Sequence, residues 1–152
     1  MRTRGLLYPL IFAMLAGCAA PDGRRQVVST DRAPKAIGPY SQAIRAGNTL
    51  YVAGQIALDP ATGEMVAGGI RTQTHQVLKN IGAILDAAGF SFNDVVQCQV
   101  FLTDLGNYSD VNQVYAEYFR TDPPARAVIQ VSRIPRDGLL EIMVVAVKSP
   151  RR

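Results

Sequence analysis

Pro124-Ala125-Arg126-Ala127-Val128-Ile129-Gln130-Val131-Ser132-Arg133-Ile134-Pro135-Arg136-Asp137-Gly138-Leu139-Leu140-Glu141-Ile142-Met143-Val144-Val145-Ala146-Val147 is the stretch on which the fold turns. It reads as two strands, Arg126–Ser132 and Leu139–Val147, rich in β-branched residues and joined by the turn Ile134–Gly138. Pro123-Pro124 breaks the chain before the first of them. Working back, 108–120 has a helical period, with Tyr108, Val111, Tyr115, Tyr118 and Phe119 on one stripe. Asp94–Thr103 alternates, placing Val96, Cys98, Val100 and Leu102 on one side. From 69 to 88 the period is again helical, with Ile70, Thr74, Val77, Ile81, Ile84, Leu85 and Ala88 on one face and Gly89 as the stop. Ser41–Ala46 and Asn48–Leu58 read as strands around the hairpin signal Gly47-Asn48, and Asp59–Gly63 is a turn. The order ββ-α-β-α-ββ predicts an α+β domain, a mixed sheet with two helices on one face.

Composition narrows the chemistry. The chain has 152 residues, 48% apolar and 18% charged, enough for one packed domain. A single histidine, His75, excludes His-based triads and multi-histidine metal sites. Two cysteines, Cys18 and Cys98, exclude a disulfide framework. The net charge of +4 belongs to the ends: residues 36–147 hold seven basic against ten acidic side chains. The body therefore lacks the basic footprint of a nucleic-acid binder, and no nucleic-acid partner is expected.

The N-terminus reads as a processing signal. Arg2 and Arg4 precede the apolar run Leu6–Ala16, which is too short to span a bilayer. Leu15-Ala16-Gly17-Cys18 resembles the lipobox of bacterial lipoproteins, which implies lipidation of the Cys18 thiol and cleavage before it. The plainer alternatives are a secretory signal with an incidental cysteine and an over-extended start. On the lipobox reading the organisation is a signal peptide at 1–17, a flexible tether at 18–35, a globular domain at 36–148 and a tail at 149–152. A tether of that length spans roughly 60 Å when extended. The expected location is the cell envelope, lipid-anchored, at the periplasmic face or outer membrane if the cell is Gram-negative.

Most candidate chemistries fall away. Ala67-Gly68-Gly69 lacks the spacing and lysine of a phosphate loop. His75 sits in a polar run and reads as a surface residue. Cys98 reads as a small buried hydrophobe, and Tyr115, Tyr118 and Phe119 as core. Arg126 and Glu141 stand out, because a charge in an apolar strand is costly unless paired. If their strands are neighbours, both lie at one end of the sheet. Two readings remain open on residue chemistry alone. One is an edge ion pair or a solvent-facing glutamate. The other is a guanidinium fork for a carboxylate beside a carboxylate that moves a proton.

Five stretches carry a family resemblance. They are Ala36–Ala43 (AIGPYSQA), Val52–Ile56 (VAGQI), Asp59–Glu64 (DPATGE), Val111–Tyr115 (VNQVY), and Pro124–Ile134 followed by Leu140-Glu141-Ile142. Together they cover about 34–148, and the chain resembles the Rid/YjgF/YER057c/UK114 family. The resemblance implies a chorismate-mutase-like fold and a homotrimer with a central barrel and clefts between subunits. It implies hydrolysis of reactive 2-imino and enamine acids to 2-oxo acids and ammonia, as a 2-iminobutanoate/2-iminopropanoate deaminase, with no cofactor and no metal. By the same resemblance Arg126 grips the substrate carboxylate, Glu141 positions the water and moves its proton, and Tyr40 lines the cleft. Gly54 allows close backbone approach, and Asn112 lies on the cleft side. Two positions depart from the pattern: Val128 stands where a cysteine is frequent, and Ala53 where a serine is frequent. An inferred mechanism in which water attacks an already electrophilic carbon needs no thiol, so Val128 serves through its backbone carbonyl. The alternative is a carboxylate-binding module on the same scaffold, without turnover.

Overall fold

The structure is a computed structural model, and it describes residues 24–149. The signal segment 1–17, Cys18, the first part of the tether and the end of the tail lie outside the described residues. Eight main elements follow in order: β1 (Arg25–Val28), β2 (Ala43–Ala46), β3 (Thr49–Gln55), α1 (Ile70–Ala87), β4 (Val95–Leu102), α2 (Tyr108–Tyr118), β5 (Ala125–Gln130) and β6 (Leu140–Val147). They form the predicted α+β architecture, a mixed sheet of order β1-β2-β3-β6-β4-β5. β4 and β5 run parallel, and the other pairs are antiparallel.

Local sequence explains two of the boundaries. Gly47 turns the β2–β3 hairpin at φ +61°, and Gly89 ends the α1 region at φ +75°, both in the left-handed region that glycine tolerates. The helical stripe of α1 buries Val77, Leu78, Ile81, Ile84 and Leu85 against Leu50, Val52, Ile142 and Val144 of the sheet. Each such side chain stabilises by about 1.5–3 kcal/mol relative to an exposed position. In β4 a register shift between Val95 and Gln97 turns Val95 inward in place of Val96, which is exposed.

Two expectations are corrected here. The tether reading of 18–35 fails from Arg25 onward, because Arg25–Val28 pairs with Ala43–Ala46 as an edge strand. Beyond it Val28 and Ala33 are buried, and the Gln42 side chain bonds Thr30 N–H and the Thr30, Ala33 and Pro34 carbonyls at 2.7–3.1 Å. Polar, turn-rich sequence here is a strapped-down strand and loop. The second correction concerns β5 and β6, which are not neighbours: β4 lies between them. α2 carries the chain over the sheet so that β5 lies parallel beside β4, the crossover that a strand–helix–strand unit favours. β6 then fills the place between β3 and β4.

Register fixes the consequence. Arg126 pairs with Cys98, and Glu141 pairs with Phe101. Successive side chains alternate between faces. Arg126 therefore shares the helix-covered face with buried Cys98, whereas Glu141 shares the opposite face with Phe101. That opposite face carries Tyr51, Phe101, Ile129, Met143 and Val145 and, among the described residues, no helix, with Tyr51 52% and Ile129 50% exposed.

Candidate active site

The predicted site residues fall into two groups. Tyr40, Gly54 and Glu141 line one cleft of about 300 Å³, with Ile37, Ile56 and Leu58 among its other walls. Arg126, Asn112 and Val128 line a second cleft with Tyr108 and Tyr115. Two strand spacings and three residues of register put the Arg126 and Glu141 backbones about 14 Å apart, on opposite faces of one sheet. The single-ended pair expected from neighbouring strands does not form.

In the first group a β3 irregularity between Val52 and Gln55 brings Gly54 under Glu141. A Cβ at position 54 would lie 1.7 Å from Glu141 Oε1, so the carboxylate occupies the space a side chain would take. Glu141 is half-buried, and that burial pushes its pKa above the usual 4.5. Tyr40 is 47% exposed, and its hydroxyl accepts from Ile37 N–H at 3.2 Å. Three buried amides brace this cleft. Asn80 of α1 donates to the Leu58 and Ile56 carbonyls at 2.9 and 3.3 Å, Gln73 accepts from Leu139 N–H at 2.9 Å, and Gln42 holds the 30–34 loop. Sequence reasoning missed all three. Their signal was available: Gln73 and Asn80 lie on the apolar stripe of α1, where an amide is costly unless bonded.

In the second group Arg126 rises from β5 against α2. Its Nη2 donates to Asn112 Oδ1 at 2.7 Å and to the Tyr108 hydroxyl at 3.4 Å. The guanidinium carbon sits 4.4 Å from the Tyr115 ring centroid and 5.8 Å from that of Tyr108. Among the described residues no carboxylate pairs with Arg126, and its other donors bond no described residue. A partly buried cation held by neutral groups, with donors to spare, has the chemistry to receive an anion. Val128 lies on the same face, two residues on. Tyr108, read as part of the buried stripe, is 43% exposed and belongs to this cleft instead. Tyr115 is core, as expected, and is also the platform under Arg126.

The remaining candidates resolve plainly. Cys98 is buried, and desolvation pushes its thiol up to about 11, which suits the small-hydrophobe reading. His75 is corrected from a surface residue to a half-buried one, its Nδ1 3.2 Å from the Tyr118 hydroxyl. Among the described residues no group of three or more His, Cys, Asp or Glu side chains is placed to hold a metal ion.

The chain thus carries an arginine clamped on an aromatic face, with no carboxylate partner among the described residues, and a half-buried glutamate seated on a glycine. The chain belongs to the endoribonuclease L-PSP family, also called Rid/YjgF, whose model matches residues 30–148. It is 56% identical to a RutC family protein of Pyrococcus horikoshii over 124 residues, covering 82% of this chain and 98% of that one. It is 48% identical to the mouse 2-iminobutanoate/2-iminopropanoate deaminase, covering 83% of this chain and 93% of the relative. Among solved structures it resembles Escherichia coli TdcF with bound serine, with TM-score 0.79, 40% identity, and coverage of 82% and 99%.

Proposed function

We propose that this chain hydrolyses 2-imino and enamine acids to 2-oxo acids and ammonia, in clefts that two subunits of a homotrimer complete together. The observation that carries the reading is that the two groups of candidate residues line separate clefts on opposite faces of one sheet. Arg126 with Asn112 and Val128 forms one half, and Glu141 with Gly54 and Tyr40 the other. On this reading hydrolysis needs both halves. Packing the helix-free apolar face of one chain against a neighbour would cover Tyr51 and Ile129 and bring unlike halves together. Identity to the mouse deaminase supports the activity.

In the completed cleft the Arg126 fork takes the substrate carboxylate and fixes its plane. Glu141 holds a water against the electrophilic imine carbon and accepts its proton as the C–O bond forms. It then returns that proton to the nitrogen and takes up the proton of the new hydroxyl as the C–N bond breaks and the C=O forms, giving 2-oxo acid and ammonia. A carboxylate held above its ordinary pKa is a better base than an exposed one. Val128 presents its backbone carbonyl, and no protein nucleophile takes part.

The second reading is a carboxylate-binding module without turnover, favoured by the loss of polar side chains at Ala53 and Val128. Assay of enzymatically generated 2-iminopropanoate separates the two. Arg126→Lys keeps the charge and removes the fork, and should lower kcat/KM by about 2–4 kcal/mol of transition-state stabilisation. Full wild-type binding of 2-oxo acids with no hydrolysis above background would establish the module. We further propose envelope anchoring through Cys18. Six residues lie between Cys18 and Arg25, the first residue of β1, a reach of about 25 Å over seven residue steps rather than the longer span of an 18-residue tether. Cys18→Ser should release the protein from the membrane fraction; unchanged partitioning refutes the anchor.

A further inference from the structure

We infer that Tyr115 is the positioning residue of the carboxylate subsite, and that it acts through the face of its ring while its hydroxyl is dispensable. The inference rests on the carboxylate-binding role of Arg126 for its functional readout, and on geometry alone for its structural one.

Arg126 stands on the edge strand β5, where a long side chain has many rotamers and no carboxylate among the described residues to hold it. Two groups of α2 restrict it most closely, with the Tyr108 hydroxyl at 3.4 Å a weaker third. Asn112 Oδ1 takes one Nη2 proton at 2.7 Å, which fixes a point. The Tyr115 ring, 4.4 Å from the guanidinium carbon, restricts how the group can tilt and swing. Asn112 and Tyr115 are one helical turn apart, so a single face of α2 supplies both constraints. Tyr115 is itself immobile: it is 6% exposed and stacks on Phe119 with centroids 4.3 Å apart at 27°. Its anchorage owes little to its hydroxyl, which is buried beside the Cys98 thiol, a weak hydrogen-bonding group, and makes no well-formed hydrogen bond among the described residues. A buried hydroxyl with so weak a partner is a cost to the fold. The ring is therefore the part of Tyr115 that contributes to the site.

The division predicts opposite outcomes for two substitutions. Tyr115→Phe keeps the ring and removes the buried hydroxyl, so 2-oxobutanoate should bind within twofold of wild type and the melting temperature should rise. Tyr115→Leu removes the face, and should raise the Kd for 2-oxobutanoate and the KM for 2-iminopropanoate about tenfold. The acid limb of the kcat profile, which belongs to Glu141, should not move. Arg126 side-chain protons, observed by NMR without any ligand, should show ring-current upfield shifts in wild type and in Tyr115→Phe. They should lose those shifts in Tyr115→Leu. Equal weakening by both substitutions, or unshifted Arg126 protons in wild type, overturns the assignment. Should Tyr115→Leu fail to fold, Tyr115→Phe and the wild-type spectrum decide alone. A wild type with shifted Arg126 protons that does not bind 2-oxobutanoate refutes the carboxylate reading and leaves the clamp standing.

Discussion

Gly54→Ala asks whether Glu141 works from the seat the glycine gives it. The added Cβ would meet Glu141 Oε1 at 1.7 Å and Cδ at 2.7 Å, whereas real Cβ contacts do not fall below 3.0 Å. The carboxylate must therefore retreat by at least about 1.3 Å, and misplacement on that scale costs on the order of 10²-fold in rate. The expected loss is 10²- to 10³-fold in kcat/KM, about 3–4 kcal/mol. Backbone strain adds little, since Gly54 is not among the residues with positive φ. The displaced atom is the end of a flexible side chain, so the stability cost should stay near 1 kcal/mol. Hydrolysis of enzymatically generated 2-iminopropanoate, measured over the spontaneous rate, is the assay, and thermal melting is the control. A folded Gly54→Ala protein with wild-type kcat/KM would refute the role of Glu141's position.

Glu141→Gln should bind 2-oxobutanoate yet stop hydrolysis, because the amide cannot accept the water's proton. Burial raises the folded-state pKa of Glu141, so its contribution to stability is present at low pH and is lost as pH rises through that value. Glu141→Gln should therefore melt at or above wild type near pH 7 and lose this margin by about pH 4; a lower melting temperature near pH 7 contradicts the sign. Val128→Cys should change kcat/KM less than about threefold, since position 128 acts through its carbonyl. A gain of a hundredfold would show that the thiol matters.

The elements were legible because their periods are local properties. The α1 stripe and the apolar, β-branched run of β6 can be read from neighbouring residues, and the structure gives Ile70–Ala87 and Leu140–Val147 at those places. Strand order was not legible, because β6 enters between β3 and β4 through contacts distant in sequence. That one insertion separated Arg126 from Glu141, so the identities of the charged residues were readable and their arrangement was not. Arg25-Gln26-Val27-Val28 escaped notice because a four-residue edge strand exposes three of its residues and shows almost no pattern. Tyr115 was read as core on its spacing alone; its second task needs Arg126 overhead, which no helical period reveals. The departures at Val128 and Ala53 stood in plain view, and only kinetics assigns them a consequence.

Mixed assembly tests the shared cleft most directly. Arg126→Ala and Glu141→Gln subunits, each inactive alone, would be unfolded together in equal amounts and reassembled. If each cleft takes Arg126 from one subunit and Glu141 from the next, a cleft is intact when an Arg-bearing half meets a Glu-bearing half. Random mixing makes that about one cleft in four. The account predicts recovery of about one quarter of the 2-iminopropanoate hydrolysis of wild type taken through the same procedure. Mixed oligomers as inactive as their parents would contradict it.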